Sequence, residues 1–339
     1  MVNLQRKIEF LSSSAGWAGA PKDATVKALE THMSWVFLCG ERVLKLKKPV
    51  HTDFVDFRTL AAREHNCREE VRLNQRLAPD TYRGTVALVQ RQDGTLGLAD
   101  EGEVIDWLVE MRRLPASLMM DELLREHRLK SGHIDRLMER LTDFYRSAER
   151  PDVDAQRHIA GLKRQQDINR QVLLRRELGV DQAVARQALD AVDEGLHLLA
   201  PLIMQRVAER RLVEGHGDLR PEHVCFRKPL VIFDCLEFDR ELRIVDPFDE
   251  IAFLGMECAV LGAAALRETM FRRLQDRLDD HVSRSLWVFY GAFRASMRAR
   301  MALSHLLDDS ARDRPRHWID RTGQYLAVTV ATLTGADRG

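Results

Sequence analysis

Apolar residues follow two different rhythms along this chain, and the change of rhythm divides it. From residue 25 to 111 the apolar positions come in short runs bounded by turn residues. Val26–Glu30, Ser34–Cys39 and Arg42–Lys47 predict three strands, the last two joined by a Gly40–Glu41 turn. Asp56–Leu77 predicts a helix, with Leu60, Val71, Leu73 and Leu77 among its apolar positions, stopped by Ala78-Pro79-Asp80. Strands follow at Thr85–Gln90, Leu96–Ala99 and Val104–Met111, with Asp93-Gly94 as a hairpin turn. The leader, residues 1–24, predicts a helical turn and then a loop through Ser12–Ser14, Gly16, Gly19 and Pro21.

After Pro115 the spacing becomes helical. Ile134, Leu137, Met138, Leu141, Phe144 and Tyr145 fall on one face behind a capping Ser131. Residues 154–178 predict a second helix. Gln182–Arg210 predicts a third, kinked at Pro201. Two short strands, His223–Phe226 and Leu230–Asp234, are joined at Lys228-Pro229, and the chain is helical again from Asp249. The expected architecture is an α+β, two-lobed one. A five-stranded sheet with one helix and a crossing strand (1–112) precedes a larger, mainly helical lobe (113–339) that contains a small hairpin. Such an order places a cleft near residue 112, where small-molecule sites usually form.

Composition narrows the class. In 339 residues, 45% are apolar and 31% charged, which describes a folded chain with a substantial core. Lys+Arg and Asp+Glu both number 52, so no global field favours nucleic acid or an anionic membrane. The N-terminus lacks the apolar core of a signal peptide, and Ile251–Leu266 is too short and too interrupted to span a bilayer. The five cysteines are odd in number and irregularly spaced, which suits free thiols in the cytoplasm. His216, His223, Cys225 and Cys235 match no standard zinc spacing.

The candidate chemistry lies in His216-Gly217-Asp218-Leu219-Arg220-Pro221-Glu222-His223 and, on the next predicted strand, Val231-Ile232-Phe233-Asp234. One carboxylate sits on a tight glycine-containing turn and another ends an apolar strand. Phosphoryl transfer uses such a pair, one to orient and deprotonate a hydroxyl and one to hold the ion that bridges the phosphates. Taken singly, Asp218 reads as a helix cap and Asp234 as a strand end. Arg294, Arg298 and Arg300 form a basic stripe that reads as a solvated face rather than as a surface for an anionic substrate.

The first motif resembles the catalytic loop of protein kinases, in the His-Gly-Asp form of the aminoglycoside and choline phosphotransferases. Glu30–Leu38, Val43–Pro49 and Phe233–Phe238 are similar to bacterial aminoglycoside-phosphotransferase-like proteins, often fused to a P-loop domain. No P-loop motif occurs here, so residues 25–305 resemble the kinase-like half. The resemblance implies a protein-kinase-like fold and a phosphotransferase that moves the γ-phosphate of ATP, with Mg²⁺ or Mn²⁺, to a hydroxyl of a small molecule. It implies Asp218 as the base and Arg220 near the transferred phosphate. Lys45 would sit on the α- and β-phosphates, with Lys47 as fallback, and Glu70 would pair with it, with Glu69 as rival. Thr31, His32 and Ser34, with Met33, would form the loop over the phosphates. Adenine would rest by Glu110 and Met111. Asp234 and His223 would hold metal, and Asp249 would brace the catalytic loop.

Two departures follow from the same comparison. The glycine-rich loop of protein kinases is absent. His223 stands where the family has asparagine, and magnesium prefers oxygen to imidazole. Either Glu222 or Glu237 then supplies oxygen, or the second ion is weak, or Mn²⁺ is used, or catalysis is impaired. The last option gives the alternative reading, a pseudokinase that binds nucleotide or regulates a partner. After Asp234 the D-F-G and A-P-E signals are missing, which favours a small-molecule acceptor over a peptide.

Overall fold

The computed structural model describes residues 2–17, 24–51, 55–99, 101–307 and 314–334. Gly19 and Pro21 of the expected leader loop lie outside them. Contacts divide the chain into two units. The first comprises residues 1–119 and 223–242, the second 120–222 and 243–339. This is not the single boundary after residue 112 that the apolar rhythm suggests.

The first unit is built on an antiparallel six-stranded sheet. Its strands are β1 (Lys27–Glu30), β2 (Ser34–Cys39), β3 (Arg42–Lys47), β4 (Tyr82–Gln90), β5 (Leu96–Leu98) and β6 (Glu103–Arg112). Their order is β1-β2-β3-β6-β4-β5. The strand expected to cross out of a five-stranded sheet is therefore a central member of a six-stranded one. Its ladder partners are β3 on one side and β4 on the other. Side chains alternate across a strand, and β3 shows the consequence. Leu44 and Leu46 join a core with Leu11, Trp17, Phe37, Leu88 and Leu108. Val43 joins the opposite core with Cys67, Tyr82, Val109 and Met111. Lys45 and Lys47 share Val43's parity.

Helix α1 (Leu4–Leu11) and helix α2 (Leu60–Gln75) belong to this unit. Helix α2 starts four residues later than expected. Thr59 caps it by accepting the Ala62 N–H at 3.1 Å, while Asp56 is held in an extended bridge to His51. Its buried face carries Arg63, Asn66, Glu70 and Asn74 beside Cys67 and Leu73. Two members of this polar stripe find charged partners on the sheet, Arg63 with Asp106 of β6 and Glu70 with Lys45 and Lys47 of β3, while Asn74 accepts the Cys235 N–H. The hairpin strands β8 (Val224–Cys225) and β9 (Val231–Ile232) also count here, because Cys225 and Val231 pack into the Cys67–Tyr82–Val109 core.

The second unit is mainly helical: α3 (Met120–Arg125), α4 (Ser131–Ser147), α5 (Ala155–Leu173), α6 (Gln182–Ala208), α7 (Pro247–Val260), α8 (Ala265–Leu278), α9 (Arg284–Ser304) and α10 (Pro315–Thr334), with a small pair β7 (Val213–Glu214) and β10 (Ile244–Val245). Lys130, not Ser131, is the N-cap of α4. Helix α5 ends five residues before the expected limit, and a 3₁₀ turn follows at Arg176–Leu178. Leu189, Phe253, Met256, Ala295, Ala299, Leu303 and Tyr325 form a common core for α6, α7, α9 and α10. Among the described residues no helix is long and apolar enough to cross a membrane. All five cysteines are free and buried.

Candidate functional site

In the first unit a row of alternating charges connects β3, α2 and the segment after β9. Asp234 Oδ1 lies 3.1 Å from Lys45 Nζ, and Lys45 Nζ lies 2.9 Å from Glu70 Oε1. Glu70 Oε2 is 2.6 Å from Lys47 Nζ, which is 2.5 Å from Glu237 Oε1. The period of the strand explains why both lysines meet one glutamate. Residues two apart share a face roughly 7 Å apart, and the two oxygens of Glu70 divide between them. Glu69, the rival, pairs at the surface with Arg72.

Burial sets the electrostatics of this row. The Glu70 side chain is 0% exposed. Burial pushes its pKa up, but Lys45 and Lys47 outweigh that and hold it below the ordinary glutamate value. Burial likewise opposes the Lys45 ammonium, while Asp234, Glu70 and Glu237 raise its pKa well above normal. Lys47 is raised in the same way by Glu237 and Glu70. Burial also drives the nearby Cys67 thiol up to about 12, so it stays protonated at neutral pH.

Asp234 does not end a strand, as the apolar run suggested. Strand β9 stops at Ile232, and Asp234 takes a left-handed backbone (φ +61°). Its N–H donates to Tyr82 Oη at 3.3 Å, and the Cys235 N–H donates to Asn74 Oδ1 at 2.9 Å. The Asp234 carboxylate is 41% exposed, unlike its neighbours in the row. Its Oδ2 faces His223 Nε2 at 3.5 Å. His223 closes a 3₁₀ turn rather than opening a strand, and its ring packs on Phe233. This donor pair suits a divalent ion that brings most of its ligands with it. One carboxylate oxygen and one imidazole nitrogen would leave most ligand positions of such an ion to other oxygens. Among the described residues no group of three His, Cys, Asp or Glu side chains is arranged to hold a metal.

The remaining expected nucleotide residues lie in the same unit. Thr31 and Ser34 close the β1–β2 turn on each other. Thr31 Oγ1 donates to the Ser34 carbonyl at 2.9 Å and accepts the Ser34 N–H at 3.0 Å. His32 sits at the tip of this turn. Glu110 and Met111 lie inside the sheet with ladder partners on both sides. By strand parity the Glu110 side chain is on the face opposite Lys45, and it pairs with Arg42 and Arg83.

In the second unit the His216–Asp218 loop is held by one buried carboxylate. Glu250, in the first turn of α7, accepts the His216 N–H at 2.9 Å and the Gly217 N–H at 2.7 Å, and Tyr145 Oη donates to it at 2.8 Å. Gly217 has φ +84°, which glycine adopts without strain. At Gly215 a Cβ would lie 2.7 Å from Val245 and 2.9 Å from Glu250, so only glycine lets the carboxylate this close. Burial raises the Glu250 pKa, against the pull of the Gly217, Tyr145 and His216 hydrogen bonds. The brace is thus Glu250. Asp249, which the resemblance suggested, points to Arg294 (2.8 Å to Nε). Two successive residues near a helix start face different sides, and the one-residue offset in the motif decides which meets the loop.

Asp218 is partly exposed and accepts from Arg220, with Nε at 3.1 Å and Nη2 at 3.0 Å. Its own N–H donates to His216 Nδ1 at 3.3 Å. Arg220 also pairs with Glu222. The arginine stripe of α9 is not a solvated face. Arg294 pairs with Asp249, Arg298 with Glu257 (2.7 Å), and Arg300 with Gln165 (3.1 Å).

No family model matches the chain. An uncharacterized protein of Mycobacterium tuberculosis is 33% identical over 318 residues, covering 91% of this chain and 62% of that protein. The chain therefore spans less than two thirds of the length of this relative. The GDP complex of aminoglycoside 2'-phosphotransferase-IIIa aligns over 97% of this chain and 99% of that one, with a TM-score of 0.55 and 15% identity. Choline kinase from Cryptosporidium parvum aligns over 97% and 99%, with a TM-score of 0.54 and 12% identity. At these identities the likeness establishes the fold, which is that of the aminoglycoside phosphotransferases and choline kinases, as the catalytic-loop motif led one to expect.

Proposed function

We propose that this chain is a phosphotransferase that moves the γ-phosphate of ATP to a hydroxyl of a small molecule. The observation that carries this reading is the Lys45–Glu70–Asp234 group. A cation is held between a fully buried carboxylate and a half-exposed one, on a fold shared with a protein solved with GDP and with a choline kinase. Lys45 contacts the nucleotide phosphates, and Glu70 aims it. Asp234 and His223 would hold the Mg²⁺ or Mn²⁺ that accompanies the nucleotide, and such an ion would supply positive charge to the phosphates. Thr31, His32 and Ser34 lie over the phosphates, and adenine rests where β6 ends, by Glu110 and Met111.

Asp218 accepts the proton of the acceptor hydroxyl as its oxygen attacks the γ-phosphorus and ADP leaves. Arg220, already on Asp218, offers a guanidinium to the transferred phosphate. Little covalent work falls to the protein in such a reaction. Positioning and charge supply the rate. Five free, buried thiols suit the cytoplasm. The GDP bound to one structural neighbour makes GTP the donor to test beside ATP.

The second reading, a pseudokinase, rests on His223 as an imidazole beside the metal-binding carboxylate. A screen of hydroxyl-bearing metabolites, aminoglycosides and choline for nucleotide consumption, with Mg²⁺ and Mn²⁺ in parallel, separates the two. Acceptor-dependent release of ADP or GDP supports the enzyme. Nucleotide binding with no acceptor-dependent turnover across the panel supports the pseudokinase.

A further inference from the structure

The buried row in the first unit contains one more lysine than a phosphate contact requires. Lys47 is 1% exposed, and it bridges Glu70 at 2.6 Å and Glu237 at 2.5 Å. Burying a second ammonium is costly unless it is paired on more than one side, so its place calls for a role that Lys45 cannot fill. The two lysines hold the two ends of one short segment. Lys45 holds Asp234, and Lys47 holds Glu237, three residues on.

We propose that Lys47 and Glu237 form a positioning clamp that keeps the Asp234 carboxylate in register for its metal when Lys45 turns from Asp234 to a nucleotide phosphate. This inference rests on the nucleotide reading of the site given above. On that reading Lys45 must exchange partners, and its side chain, 15% exposed, is the lysine of the pair with access to do so. Once it leaves, Lys47 remains the counter-ion of Glu70, and the buried carboxylate is not stranded. The segment keeps its tie to β3 through Glu237. The tie matters because Asp234 sits at φ +61°, a conformation that a residue with a side chain holds only when its surroundings fix it. The Asp234 N–H on Tyr82 and the Cys235 N–H on Asn74, one turn along α2 from Glu70, also anchor the segment. Glu237 is therefore a residue that acts through Asp234, not a metal ligand. Glu222, the other glutamate that could have supplied oxygen beside His223, is engaged by Arg220.

The test compares ATP affinity with and without Mg²⁺ or Mn²⁺, by calorimetry, in the parent chain and in Glu237→Gln, Lys47→Met, Lys47→Arg and the Lys47→Met/Glu237→Gln double variant. Glu237→Gln should shrink the gain that the metal gives to ATP affinity by about 10–100-fold, as loss of a group that orients a metal ligand does. Metal-free ATP affinity should stay within about threefold, because Lys45 is untouched. The double variant should be no worse than either single, since the two residues act as a unit. Lys47→Arg should recover part of the gain. If Lys47→Met does not fold, the near-isosteric Glu237→Gln still carries the test. A Glu237→Gln protein that melts earlier but keeps the full metal-dependent gain would make the pair a structural cross-link only and overturn the clamp. A parent that binds no ATP with or without metal would overturn the nucleotide reading itself, and the clamp with it.

Discussion

Gly217 donates its backbone N–H to the Glu250 carboxylate at 2.7 Å, and through this contact the loop that carries Asp218 is tied to the first turn of α7. The same carboxylate takes the His216 N–H and the Tyr145 hydroxyl. One buried side chain thus satisfies three donors that would otherwise be stranded.

Glu250→Ala should destabilise the protein by about 2–5 kcal/mol, because an unpaired buried donor costs about 1–3 kcal/mol. Glu250→Gln keeps an acceptor and should cost far less. The pH dependence has a definite sign. Burial raises the Glu250 pKa above its unfolded value. The folded state then holds more protons, so this group's contribution is complete below the unfolded value of about 4.3 and is lost as pH rises through the folded one. Melting the parent and Glu250→Gln side by side from pH 4 to 8 should show the parent losing ground as pH rises. A parent that gains on the variant over that range would refute the assignment.

Glu70 behaves in the opposite sense. Its folded pKa is depressed by Lys45 and Lys47 despite burial. Its stabilising contribution is therefore present above about pH 4.3 and is lost as pH falls through the lower folded value. Glu70→Ala removes the carboxylate that Lys45 and Lys47 share, leaving each ammonium only its second partner, Asp234 or Glu237, and should cost about 3–5 kcal/mol at neutral pH. Denaturant titrations of parent and variant at pH 7 and pH 3 should show this gap narrowing in acid. A gap that stays constant would mean Glu70 does not hold the lysines in solution.

Much of this arrangement was legible in the chain. Lys45 and Lys47 stand two apart on a predicted strand and so had to share a face, and the family resemblance pointed to Glu70 as their partner, with Glu69 as rival. Asp234 was marked by the apolar run before it. What could not be read was which neighbour a side chain meets when two adjacent candidates exist. Asp249 and Glu250 differ by one position on a helix, and only the close approach allowed by Gly215 shows that Glu250 meets the loop. Arg294 and Arg298 looked solvated because their partners Asp249 and Glu257 lie more than 40 positions away in sequence. The sixth strand's own pattern does not reveal its central place in the sheet, because pairing order is set by tertiary contacts.

Asp218→Ala should leave ATP affinity within a few-fold and reduce turnover of any true acceptor by about 10²–10⁴, the usual contribution of a general base. Single-turnover kinetics beside a binding isotherm separates the two effects. Turnover at the parent rate would remove Asp218 from the mechanism.

His223→Asn replaces an imidazole nitrogen, 3.5 Å from Asp234, with an amide oxygen. Magnesium prefers oxygen, while manganese accepts imidazole more readily. ATP binding should shift towards Mg²⁺ in the variant, read as the ratio of calorimetric affinities with the two ions. A variant that loses binding with both ions would show that the histidine has a role of its own.

Thermal melting tests most directly whether Lys45 and Asp234 flank one nucleotide phosphate group. ATP with Mg²⁺ or Mn²⁺ at 100 times its dissociation constant should add about 2.7 kcal/mol of stability and raise the melting temperature accordingly. Lys45→Ala should weaken that shift. Asp234→Ala should remove its dependence on metal. Both variants should remain folded without ligand, since each leaves Glu70 paired with Lys47. A parent protein that shows no shift with ATP or GTP in Mg²⁺, Mn²⁺ or Ca²⁺ would contradict the claim.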